Sequence, residues 1–155
     1  MAVNPAASAA ALAQTGFGVR VDRATQTLPA TTSTEYFHVY NGRCLVTMLV
    51  GEVTTVVQAQ ACNLSWESNP TTGTTNAMCA VVDINAKEAG TLLSITGTVG
   101  DAMIAGSSGA VKGQLAPVVV AVGGLELKTS ATNTGATKWS LFYVPLDDGA
   151  YIAAV

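Results

Sequence analysis

The chain has 155 residues, about one domain's worth, and can bury roughly two-thirds of its unfolded surface. It is 49% hydrophobic but only 11% charged, with a net charge of −3 at pH 7, whereas an average soluble domain is about 25% charged. Seven scattered basic residues do not form the Lys/Arg cluster that phosphate recognition needs, so no nucleic-acid partner is expected.

The first segment, MAVNPAASAAALAQTG, has an apolar stretch with no basic residue before it, which does not fit a secretory signal. Asn4 as N-cap, Pro5 at the first helical position and Gly16 just past the end predict a short Ala-rich helix. Such a helix is marginal alone. Residues 1–15 are therefore expected to be an arm, and residues 16–155 the folded domain. Pro5, Leu12 and Phe17 are the arm's candidates for contact with a neighbouring subunit.

Next comes EYFHVY-NG-RCLVTM. Asn41-Gly42 can supply the two positive φ angles of a type I′ turn, which predicts a hairpin pairing Tyr40 with Arg43, Val39 with Cys44 and Phe37 with Val46. Period-2 alternation then puts Phe37, Val39, Cys44, Val46 and Met48 on the core face. Tyr36, His38, Tyr40, Arg43 and Thr47 take the other face. The run RCLVTMLVGEVTTVVQAQ is too interrupted by Glu52, Gln and Thr for a membrane span, and its Val and Thr favour strands. It reads as two strands or one long bent strand. Leu45, Leu49 and Val50 imply cover on its second face as well, and a parity change near Ala61-Cys62 suggests a β-bulge.

AMCAVVDI, TLLSITG and PVVVAV are shorter strand candidates, and NAKEAG at 85–90 is the one candidate helical turn beyond the N-terminus. LELKTSA and TKWSLFYVPL flank a five-residue loop at 132–136, predicting a second hairpin that pairs Leu125 with Tyr143, Leu127 with Leu141, and Thr129 with Trp139, with Leu125, Leu127, Trp139, Leu141 and Tyr143 in the core. About eight short strands with turns at this spacing give an all-β fold, an antiparallel jelly-roll or β-sandwich. The three cysteines, Cys44, Cys62 and Cys79, have no paired spacing and read as small buried hydrophobes in a reducing compartment.

His38 is the only histidine. It cannot assemble a multi-histidine metal centre, and between two tyrosines on a strand it reads as a half-exposed sheet residue, not a catalytic base. AGSSGAVKG has Val111 where a phosphate loop needs its second glycine, and Gly follows Lys112 where Ser or Thr belongs. TGFGVRV offers Val21 in place of the last glycine of a dinucleotide fingerprint. Asp147-Asp148 in PLDDGA reads as a solvated turn, because a calcium site needs six to eight oxygens. No enzyme activity, metal or cofactor is expected. The competing reading is a carbohydrate-binding β-sandwich, with Trp66, Tyr36 and Tyr40 as a sugar-stacking platform.

Three stretches, VGEVTT, CAVVDINA and TSATNTGATKWSLFYVPLDDGA, carry a resemblance that spans residues 36–150. The chain resembles the decoration, or cement, proteins of tailed-bacteriophage heads. That resemblance implies a β-sandwich or jelly-roll that binds the outer capsid surface and reinforces the shell. The implied partners are the major capsid protein and the chain itself, as a homo-oligomer with a trimer favoured over a dimer. The implied location is the virion exterior, after synthesis in the host cytoplasm. Broad, nearly neutral faces rich in Thr and Ala, which lose little on desolvation, suit such a role.

Overall fold

A computed structural model describes residues 16–155. Its strands are β1 (Val19–Thr27), β2 (Ser33–Tyr40), β3 (Cys44–Thr55), β4 (Asn63–Pro70), β5 (Asn76–Ala77), β6 (Val82–Asp83), β7 (Leu92–Ser94), β8 (Ile104–Gly106), β9 (Val118–Val120), β10 (Gly123–Thr129), β11 (Ala136–Pro145) and β12 (Tyr151–Ala154). They form two six-stranded antiparallel sheets packed face to face. Sheet A runs β1-β11-β3-β7-β8 with β9 also on β3; sheet B runs β12-β2-β10-β4-β5 with β6 also on β4. The expected all-β sandwich is present.

Both expected hairpins are corrected. β2 pairs with β10 and β12, whereas β3 pairs with β11, β7 and β9, so the Asn41-Gly42 turn carries the chain from sheet B to sheet A. Likewise β10 lies in sheet B and β11 in sheet A, and residues 130–135 cross between them. Every connection among β1–β4 and among β9–β12 changes sheet, while β4–β5 and β7–β8 are the local hairpins. The positive φ values at Asn41 (61°) and Gly42 (150°) are there as predicted, but they serve an arch instead of a hairpin.

The predicted core survives this change of partners. Phe37, Val39, Cys44, Val46, Leu125, Leu127, Trp139, Leu141 and Tyr143 are all buried between the sheets. A strand's alternation fixes which face turns inward, and it is the same whether the next strand lies beside it or across the core. Bulges in β3 and β2 change the face of two predicted side chains. In β3, Val46 pairs with Tyr143 but Met48 pairs with Phe142, so Thr47 is the extra residue. Beyond it Leu49 and Val53 point inward, and Met48, expected in the core, is turned to the outer face against Gly113. In β2 the register shift lies at Tyr36, which is fully buried instead of facing out with His38 and Tyr40.

Trp66 of β4 is the centre of the core. It packs edge-on against Tyr36 (5.7 Å) and Trp139 (4.9 Å) and lies nearly parallel to Phe37 (5.9 Å). Gly51 faces Trp139 in register, and a Cβ there would stand 2.6 Å from the indole, so only glycine leaves room for that ring. Cys44, Cys62 and Cys79 are buried and unbridged.

The apolar run RCLVTMLVGEVTTVVQAQ holds one twelve-residue strand, β3, bent at Thr47 in the middle of sheet A. Its outer face is partly covered by the chain itself. Residues 111–114 lie against it, with Gln114 Nε2 donating to Val46 O (3.1 Å), Gly113 against Met48 and Val111 beside Val50. The parity change at Ala61-Cys62 is no bulge: β3 ends at Thr55, and the chain enters sheet B at Asn63. Residues 85–90 form tight turns with positive φ at Ala86 (52°) and Gly90 (90°), which a helical turn does not allow.

Candidate functional surface

The strand pairing gives each sheet one solvent face, and the two faces differ in character. On sheet A, register aligns Val144 of β11, Leu45 of β3 and Val119 of β9 in one outward row. Val144 is 39% and Val119 58% exposed. Gly18 turns the chain back from the start of β1, so that Phe17 lies on this face with its ring edge-on to Phe142 (5.9 Å) and its carbonyl accepting from the Thr47 hydroxyl. Phe17 therefore packs on its own domain while remaining 42% exposed. Pro5 and Leu12, the other arm candidates, lie outside the described residues.

Farther up the same face the charges neutralise one another. Lys138 meets Glu52 at 2.8 Å, and Asp22 accepts from Arg20 (2.8 Å) and Ser140 (2.6 Å). Partial burial pushes the Asp22 carboxyl up, but the Ser140 hydroxyl and Arg20 outweigh it and hold it below the usual carboxylate range. Between these pairs lies a cleft of about 440 Å³ whose lining includes Ala24, Val50, Leu92 and Val111. Two of its three cations are paired to carboxylates, and the third, Arg23, donates to Gln26 Oε1 (2.6 Å), so the lining carries one net positive charge.

At the Asn41-Gly42 arch, Asp147 closes a clamp that the sequence did not reveal. Arg43 gives it three hydrogen bonds: backbone N (2.7 Å) and Nε (3.0 Å) to Oδ2, and Nη2 (2.7 Å) to Oδ1. Leu146 N returns a bond to Arg43 O (2.9 Å), which locks the arch onto the turn after β11. The Arg43 side-chain and backbone hydrogen bonds lower the Asp147 carboxyl from 3.8 to about 2. A carboxylate whose folded value lies below its unfolded one adds stability above the unfolded value, and that contribution disappears as pH falls through the folded one. Urea midpoints measured from pH 6 to 2 are therefore expected to drop between about pH 4 and 2 more steeply in the native chain than in Asp147→Asn. Parallel acid limbs would show that the clamp contributes nothing.

The sugar platform drawn from the sequence is not assembled. Trp66 and Tyr36 are completely buried, leaving only Tyr40 of that set at the surface. His38 is half-buried on the outer face of sheet B, in contact with Glu35 and with the Tyr40 ring. Among the described residues no three His, Cys, Asp or Glu side chains converge as a metal-ligand set, and no helix is long and apolar enough to cross a membrane. Comparison with protein-family models, with curated proteins and with solved structures found no match.

Proposed function

We propose that this chain is a non-enzymatic structural protein of a bacteriophage virion. In this reading it binds the outer surface of the capsid through the major capsid protein and reinforces the shell as a homo-oligomer, with a trimer favoured. The observation that carries the reading is the outward row Val144–Leu45–Val119 with Phe17 nearby on the same face of sheet A. Contiguous apolar side chains exposed on a rigid sheet are the feature that marks contact surfaces. The self-neutralised pairs Lys138–Glu52 and Arg20–Asp22 fit a surface that covers a neighbour with few isolated charges, Arg23 being the one cation of the cleft without a carboxylate partner among the described residues. The resemblance over residues 36–150 supplies the kind of neighbour.

The internal cover over β3 changes one part of the argument. Residues 111–114 already shield part of the second apolar face, so the case for an interface rests on the exposed row and not on β3 as a whole.

Co-sedimentation with emptied shells of the phage that encodes the chain tests the reading. Saturable attachment is expected, and Val119→Asp should weaken it by about tenfold or more, because it buries a charge in the contact. Val119 is exposed in the free chain, so the variant should melt as the native chain does. Failure to attach, or equal attachment by Val119→Asp, would overturn this reading. Sedimentation velocity at micromolar concentration reads the oligomer directly.

A further inference from the structure

The arch that carries the chain from sheet B to sheet A is built on Asn41-Gly42, the one Asn-Gly pair in the sequence. We infer that Asn41 is a self-modification site, a deamidation through a succinimide, which the Arg43–Asp147 clamp holds closed. The other asparagines are poorer candidates by sequence alone. Asn4 and Asn69 precede proline, whose nitrogen carries no hydrogen, while Asn63, Asn76, Asn85 and Asn133 precede residues with a side chain beside the attacking nitrogen.

Water is the only co-reactant the chemistry needs. The Gly42 backbone nitrogen gives its proton to solvent and attacks Asn41 Cγ. As the new N–Cγ bond closes the succinimide ring, the Cγ–Nδ2 bond breaks and Nδ2 leaves as ammonia, taking a proton from solvent. Water then opens the ring at one of its carbonyls. Opening at Cγ gives aspartate; opening at the backbone carbonyl gives isoaspartate, in which the chain runs on through the former side chain. The groups that react are available. Asn41 is exposed, and its amide is tethered by a single long contact from Nδ2 to Gly149 O (3.4 Å). Gly42 N–H donates to no acceptor among the described residues, and Gly42 has no Cβ to shield it.

The conformation of the arch opposes the reaction. Asn41 has a φ of 61°, and in this left-handed region the following nitrogen is turned away from the residue's own side chain. Ring closure therefore requires the Asn41-Gly42 peptide to swing round. Three hydrogen bonds from Arg43 to Asp147, and that from Leu146 N to Arg43 O, fix the next residue and prevent it. Gly42 is also packed against Asp147, with 2.6 Å between the Asp147 Cβ and the place of a Gly42 Cβ. The reaction thus runs from an opened arch, at a rate set by how often the clamp releases. Isoaspartate adds a methylene to the backbone of a turn with no spare room, so the clamp cannot close again on that product.

The test keeps three samples in the same mildly alkaline buffer: the native full chain, Asp147→Asn, and the native chain unfolded in guanidinium chloride. Trypsin releases residues 24–43 as one peptide, whose exchange of NH for O reads Asn41, whereas position 147 falls in the separate peptide 139–155. Conversion of Asn41 is expected to be roughly a hundredfold slower in the native fold than in the unfolded chain, and about tenfold faster in Asp147→Asn than in the native fold. The isoaspartyl chain, once separated, should lack the fall in urea midpoint between about pH 4 and 2 that the clamp produces. Equal rates in the native chain and Asp147→Asn would overturn the inference. So would a native rate matching the unfolded one, no conversion in the unfolded chain, or an isoaspartyl chain that keeps the acid limb. If Asp147→Asn does not fold, the ratio of native to unfolded rates and the acid limb decide alone. None of these outcomes bears on shell attachment, which sedimentation reads separately.

Discussion

Trp66→Ala is expected to lower the free energy of unfolding by about 3–5 kcal/mol, the largest effect of any single side-chain truncation in this domain. Trp66 is fully buried and is the one residue that touches Tyr36, Phe37 and Trp139 together. Its removal leaves a cavity between two sheets whose backbones are held apart by their own ladders and cannot collapse into the space. Trp66→Phe sharpens the test. Among the described residues the Trp66 indole N–H has no hydrogen-bond partner, whereas that of Trp139 donates to the Thr137 hydroxyl at 3.0 Å. A buried unpaired donor costs about 1–3 kcal/mol, so Trp66→Phe recovers part of what it loses in packing. Trp139→Phe loses packing and also removes the indole donor from the fully buried Thr137 hydroxyl. Urea unfolding should therefore rank the variants Trp66→Phe, Trp139→Phe, Trp66→Ala in order of rising cost. A Trp66→Phe variant less stable than Trp139→Phe would contradict the role given to the unpaired N–H.

Gly42→Val is expected to destabilise by roughly 2–3 kcal/mol, for two independent reasons. The φ of 150° at Gly42 is one that a β-branched residue adopts only under strain. A Cβ at that position would also stand 2.6 Å from Asp147 Cβ and 3.2 Å from Ala150 Cβ, so the turn after β11 must move and the Arg43–Asp147 clamp opens with it. Asn41→Gly is the control. Asn41 sits at φ 61°, where glycine is at ease, and the change should be within about 0.5 kcal/mol of neutral. The acid limb separates the two causes in Gly42→Val. If the clamp has opened, the fall in stability between about pH 4 and 2 should be missing along with the overall loss. Unchanged stability would mean that the arch is not the tight, clamped turn described above.

The outcome for these two turns shows what local sequence can decide. Asn41-Gly42 announced a tight reversal, and alternation on either side placed Phe37, Val39, Cys44 and Val46 inside; both hold. The pairing of β2 with β3 did not follow, because a hairpin and an arch bury the same residues. What selects the arch lies far away in the chain, in Asp147, which is 104 residues from Arg43. The same is true of β10 and β11. Asn133 in their connection accepts from Gln58 N and Gly135 N, Ser130 N bonds to Asn63 O, and these ties anchor the connection to the ends of β3 and β4. β1 and β12 escaped notice as strands because both are sheet edges. β1 in particular is polar and exposed along most of its length, with little alternation to read.

The sequence by itself determined the fold class, the turn at Asn41-Gly42, the burial of all three cysteines and nine of the ten residues assigned to the core. These are consequences of backbone geometry and of the parity of apolar residues, which act over a few positions. The tertiary structure alone decided the rest. Met48 and Tyr36 exchanged faces because a bulge exists only relative to the partner strand it mismatches. Trp66 became a core residue because three aromatic rings from separate strands close around it, which removed it from any surface role. The row Val144–Leu45–Val119 and the ladder Tyr151–Tyr40–His38 each join strands distant in the chain, so neither exists until the sheets have formed. Hydrophobic alternation is written into each strand, but the identity of its neighbour is set by the summed packing and hydrogen bonding of the whole sandwich.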